Sequence, residues 1–175
     1  MIQDPEKWNR DREELDAWKD ASITDLVVHI MKRYHREARF GMAELEGYAE
    51  EAALLEGHRF PLFLQIRDEV DLFCTEMRGH LKMEEVTLFP AILAKEQGRE
   101  VQVEAELMDP LELLEDEHTA AAGLLKRIWH LTQGFKAPEG APQVQKELYK
   151  ACQTLAESLF RHVYLENDIL FKKIG

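Results

Sequence analysis

Four stretches of this chain repeat apolar side chains at alternating spacings of three and four residues, the pattern that turns one helix face toward a core. Val28, Met31, His35, Ala38, Met42 and Leu45 make the first seam, and Ile66, Val70, Phe73, Met77, His80, Glu84 and Leu88 the second. The third reads Leu111, Leu114, His118, Ala121, Leu125 and Ile128, and the fourth Leu148, Cys152, Leu155, Leu159, His162, Glu166 and Ile169. Four such helices with short connections predict an all-α, up-down-up-down antiparallel four-helix bundle. Each seam carries histidine or glutamate at a position where the pattern otherwise demands Leu or Ile.

Punctuation residues set the boundaries. Asp4-Pro5 opens a short outlying helix bearing Trp8, Leu15 and Trp18, so residues 1–20 read as an N-terminal helix and 21–175 as the bundle. Ser22-Ile-Thr-Asp25 resembles a capping box with Asp in the Glu position, and the first bundle helix runs from there to about Glu56-Gly57. The second begins near Pro61 and ends before Gly98. Asp109-Pro110 opens the third, which stops at Gly134; residues 136–142 form a loop and the fourth helix occupies the rest. Gly57, Gly98 and Gly134 stand where a helix C-cap wants positive φ. No strand alternation or repeat is present.

The polar interruptions agree with one another. In an antiparallel pair, residues equidistant from the connecting loop lie side by side. The midpoint of His35 and His80 falls between Gly57 and His58, that of His80 and His118 on Arg99, and that of His118 and His162 on Gly140. Loops located from breakers coincide with midpoints located from histidines, so all four imidazoles are expected at one height. His80/Glu84 and His162/Glu166 each put an imidazole and a carboxylate one turn apart on one face. A buried carboxylate costs several kcal/mol unless neutralised or paired, and no seam Lys or Arg lies at that height. Cations bound by both glutamates remove the difficulty. The six residues His35, His80, Glu84, His118, His162 and Glu166 therefore read as a dinuclear metal site. Nitrogen-rich ligation with carboxylates suits iron, and manganese or zinc less well. Two histidines per ion, two bridging glutamates and a solvent-derived oxygen bridge would leave each ion about five-coordinate, with room for O₂, NO or peroxide.

Composition excludes other classes. A formal charge of −12 disfavours nucleic-acid binding and docking on anionic membrane. No apolar run approaches the roughly 20 residues of a membrane span, and the N-terminus lacks a signal-peptide pattern. Two cysteines give no disulfide framework. A cytoplasmic location is expected. No hydrolytic or transferase motif is present.

Other polar residues carry weaker signals. His58 falls in the first loop, roughly 33 Å from the site level at 1.5 Å per residue. His29 and His130 lie off the seams. Cys152 reads as a core thiol, with Cys74 flanking a seam. Glu76, Glu85 and Glu117 are placed to orient an imidazole or to sit in solvent, and Tyr34 and Tyr164 flank ligand positions.

The segments Arg33-Tyr-His35, His80-Leu-Lys-Met-Glu-Glu-Val-Thr-Leu-Phe-Pro90, Glu115-Asp-Glu-His118 and His162-Val-Tyr-Leu-Glu-Asn-Asp-Ile-Leu-Phe171 together resemble the hemerythrin-like (HHE cation-binding) domains. They are most similar to the di-iron proteins called RIC, Repair of Iron Centres. The likeness extends from about residue 22 to the C-terminus. That family's four histidines and two bridging glutamates match the six residues above. The resemblance implies two non-haem iron ions, oxo- and carboxylate-bridged, and repair of iron–sulfur clusters damaged by oxidative or nitrosative stress. Damaged iron–sulfur proteins are the implied partners. Many RIC proteins carry an N-terminal domain with a Cys-Cys pair, where this chain offers a short helix. Lys172 follows Phe171 where relatives often have Pro, and Gly123 sits one residue later than usual.

Two other functions use the same bundle. An O₂ carrier or sensor would form a stable oxygen adduct, but oxygen carriers have a further histidine on the third helix, and Leu114 and Ala122 stand where it would be. An iron store or metal-binding bundle would lack small-molecule chemistry.

Overall fold

A computed structural model describes residues 5–99 and 110–174, with the side chains of 6–99 and 117–174. Helix α1 (Pro5–Asp16) passes into a 3-10 turn, Ala17–Asp20. The bundle helices are α2 (residues 23–56), α3 (62–96), α4 (Pro110–Leu131) and α5 (143–174). No strand occurs among the described residues. The expected all-α bundle is therefore the observed architecture. The proposed start signals at Asp4 and Asp109 lie outside the described residues, as do the side chains of the seam positions Leu111 and Leu114.

Local chemistry explains the ends. The Ser22 hydroxyl accepts the Asp25 N–H at 3.0 Å and donates to the Asp25 carboxylate at 2.8 Å, which caps α2. Gly98 and Gly134 take φ of +66° and +82° beyond α3 and α4. Gly57 does not: its φ is −61°. What it requires is space, because a Cβ there would lie 2.2 Å from the Ala53 carbonyl oxygen.

Cross-helix pairs fix the directions. Arg39 meets Glu85 and Glu46 meets Arg78, so α2 and α3 are antiparallel. Glu69 pairs with Arg127 while His80 meets Glu117, and α3 opposes α4 in the same sense. His35 faces His162 and Glu37 accepts from Ser158, which sets α2 against α5. Helix α1 lies along α5. Trp8 packs edge-on against Phe160 at 4.3 Å between centroids, Arg161 donates to Asp11 at 2.7 Å, and Tyr164 donates to Asp16 at 2.6 Å. No helix among the described residues is long and apolar enough to cross a membrane.

The core is divided. One apolar cluster, including Met42, Phe73, Ile128, Leu148 and Leu155, fills the end of the bundle nearer the α2–α3 loop. A second, including Leu26, Ile30, Phe89, Leu165 and Leu170, fills the other end and takes in Leu15 of α1. The six polar seam residues lie buried between them. On the side of the second cluster, α2, α3 and α5 each widen into a π-helical turn, at Ile30–His35, Glu84–Leu88 and Leu165–Leu170. A π turn inserts one residue into the helical count. The first seam consequently slips by one position before His35. Val28, expected inside, is 38% exposed, and Val27 and Ile30 are fully buried in place of Val28 and Met31.

Cys74 and Cys152 are both buried free thiols of the first cluster. Burial pushes each thiol up to about 12, with the Glu46 carboxylate adding to the effect at Cys74. Neither should react with a thiol reagent at pH 8 in native protein, and both should react after denaturation. A thiol that reacts within minutes in native buffer would contradict this packing.

Candidate metal centre

Each of the four bundle helices delivers one imidazole to the layer between the two clusters. The seam places His35, His80, His118 and His162 inward, and their ring Nε2 atoms meet in two pairs. His35 and His162 approach to 3.1 Å, as do His80 and His118. Glu84 and Glu166, both at 0% exposure, lie between the pairs. Glu84 turns Oε2 to His35 at 3.4 Å and Oε1 to His80 at 3.3 Å. Glu166 turns Oε1 to His162 at 2.7 Å and Oε2 to His118 at 3.3 Å. Each carboxylate thus presents one oxygen to each histidine pair. The ligand atoms of His35, Glu84, His162 and Glu166 all lie within 4.8 Å of one another, and so do those of His80, Glu84, His118 and Glu166.

Proton counting shows what such a cluster lacks. The outward Nδ1 of His35 faces Glu85 at 2.7 Å, that of His80 faces Glu117 at 2.8 Å, and that of His118 faces Asn167 Oδ1 at 3.1 Å. Those oxygens only accept, so each Nδ1 carries the ring proton and each facing Nε2 is a bare lone pair. The interior then holds three such lone pairs among the carboxylate oxygens, while His162, whose Nδ1 has no partner among the described residues, turns Nε2 to Glu166 Oε1 at 2.7 Å. Both oxygens of Glu84 and Oε2 of Glu166 are buried without a hydrogen-bond partner. Orphaned buried acceptors are costly, and a donor set of imidazole nitrogen and carboxylate oxygen fits a transition-metal cation at each cluster.

Without a cation, protons take its place. Burial disfavours the His80 imidazolium, but the Glu84, Glu117 and Glu166 carboxylates outweigh it and raise its pKa to about 9. His35 is raised in the same way, burial opposing and Glu166 and Glu84 prevailing. Burial and the neighbouring Glu166 charge push Glu84 up. Burial acts against Glu166 too, yet His162, His118 and His35 around it hold it well below the usual carboxylate range.

The residues next outward carry signals that the seam pattern hides. Glu85 and Asn167 directly follow Glu84 and Glu166 in sequence, and the π turns that begin around those glutamates bring them to bear on His35 and His118. Glu85 is held in turn by Arg39 at 2.8 Å. Such partners fix the tautomer and the plane of a ligating imidazole. The sequence offered one clue to Asn167, an amide directly after the second His-x-x-x-Glu. Glu117 takes the orienting position considered for it, whereas Glu76 is exposed. Tyr34 is buried, stacked 6.3 Å from His162, and the Tyr164 hydroxyl is taken by Asp16. His29 stacks on Trp18 at 3.8 Å, while His58 and His130 are exposed, and none of the three joins the layer.

A buried carboxylate without a donor is a liability. Glu84→Gln should stabilise the metal-free protein by about 1–3 kcal/mol and abolish any stabilisation by added metal. Urea unfolding with and without chelator reads both. A loss of stability in the metal-free variant, with metal stabilisation intact, would contradict the arrangement.

Known proteins are similar to this chain over most of its length. Residues 26–174 match the hemerythrin HHE cation binding domain. The chain is 32% identical over 166 residues to the iron-sulfur cluster repair protein DnrN of Neisseria gonorrhoeae, covering 92% of this chain and 97% of that protein. It is 30% identical over 156 residues to the iron-sulfur cluster repair protein YtfE of Escherichia coli O81, covering 89% and 68% respectively. It is 28% identical over 150 residues to the iron-sulfur cluster repair protein ScdA of Staphylococcus haemolyticus, covering 86% and 66%. The chain thus spans about two thirds of the length of the last two relatives and nearly all of the first. By its matched domain and these relatives, this chain belongs to the hemerythrin HHE cation-binding family.

Proposed function

We propose that this protein holds two iron ions and serves the repair of iron–sulfur clusters damaged by oxidative or nitrosative stress, reacting with NO, O₂ or peroxide. The observation that carries the reading is the double facing of Glu84 and Glu166, one oxygen of each to His35/His162 and the other to His80/His118. His35, His162, Glu84 and Glu166 would hold one ion, and His80, His118 and the same two glutamates the other. The iron pair would supply one-electron redox change and an open coordination position for a small molecule. The chain's own groups do the rest. Glu85, Glu117 and Asn167 keep the ring protons of His35, His80 and His118 outward and their lone pairs inward. The two apolar clusters exclude bulk water from above and below the layer. Damaged iron–sulfur proteins are the partners, in keeping with the names of the three relatives. A cytoplasmic setting belongs to the same proposal and is supported by the two unpaired thiols.

The test is recovery of a nitric-oxide-damaged [4Fe–4S] hydro-lyase incubated anaerobically with this protein. Iron-loaded wild type should restore activity well above the metal-free protein, and Glu84→Ala should not. Equal recovery with loaded, metal-free and variant protein would end the repair proposal. Stopped-flow mixing of the ferrous protein with O₂ separates the carrier alternative, which requires a stable, reversible adduct.

A further inference from the structure

The layer of histidines does not abut solid core on every side. A cavity of about 280 Å³ lies between α4 and α5, with Trp8 of α1 contributing to its wall. At its buried end are His80, His118 and His162; its walls include Met77, Leu125, Phe135 and Leu159. Toward the surface it reaches Lys7, Asp11 and Glu157. Ala121 and Leu125, expected in the third seam, are only half buried because they face this space.

Its size and its polarity both discriminate. A water occupies about 30 Å³, and a dry cavity of about 150 Å³ lined by aliphatic and aromatic side chains admits benzene. NO, O₂ or hydrogen peroxide would fill a small fraction of this space. The charges at the outer end are already matched, Lys7 with Glu157 and Asp11 with Arg161, so among the described residues lining it none is left to balance an ionic ligand. Apolar walls with polar groups converging at one end are the make-up of a small-molecule pocket.

We propose that this cavity binds an uncharged amphiphile of about ten non-hydrogen atoms, with an aliphatic or aromatic body along the α4–α5 gap and one small polar head at the imidazoles. As a statement of substrate class this rests on the proposed metal centre. The binding itself does not, and is measured on metal-free and iron-loaded protein alike.

The probes are 1-alkanols from butanol to decanol, titrated calorimetrically. Affinity should rise about fourfold per methylene and level off when the chain fills the space. Ala121→Leu and Ala156→Leu, which add side-chain volume to the lining, should each weaken octanol tenfold or more while leaving iron uptake at the wild-type level. Circular dichroism confirms that each variant folds, and the wild-type series is decisive without them. Octanol binding in protein that takes up no iron would uphold the pocket and count against the metal centre alone. Affinity that does not grow with chain length, or that survives both fillings, overturns the proposal.

Discussion

The arrangement depends on buried lone pairs crowded together with too few donors to separate them. Glu85, Glu117 and Asn167 draw three ring protons outward, which leaves the Nε2 atoms of His35, His80 and His118 bare, the last two 3.1 Å apart, while His162 Nε2 lies 2.7 Å from Glu166 Oε1. Glu84 adds two buried oxygens with no donor, and Glu166 one. At such separations in a dry interior, unscreened repulsion and lost hydration would oppose folding. Positive charge reverses the sign of every one of these contacts. The raised His80 and His35 pKa values are the same demand answered by protons.

Holding that layer in place is a packing problem, and the fold meets it from both ends. Leu and Phe side chains close the bundle on either side, so the site cannot slide along the axis without breaking one cluster or the other. The three π turns sit at the boundary with the second cluster. Each shifts the helical count by one, which lets α2, α3 and α5 turn apolar residues inward beyond a level where they have just turned polar ones. Wide turns of this kind recur at functional sites because they re-aim side chains at a small cost in backbone regularity. Helix α1 adds a further layer on α5 and helps wall the space beside the histidines.

Much of this was legible in the sequence because it is periodic. The three-four spacing defined four helices, and the equal distances of His35, His80, His118 and His162 from their loops put the imidazoles at one level, where they are found. What the sequence left obscure is local. A π turn has no residue signature in a single chain, so Val28 and Met31 were expected where Val27 and Ile30 are buried. Gly57 was taken for a left-handed cap, whereas close approach to Ala53 explains it. Asn167 lies off the seam in a regular helix and faces His118 only through the wide turn. The cavity arises from how far α4 stands from α5, a distance no spacing encodes.

The most direct measurement of the central claim is anomalous X-ray diffraction at the iron edge, from crystals of protein reconstituted anaerobically with ferrous iron. The account predicts two peaks about 3.5–4 Å apart, one beside His35 and His162 and the other beside His80 and His118, with Glu84 and Glu166 spanning both. A single peak, or iron bound outside the layer between the two apolar clusters, would contradict it.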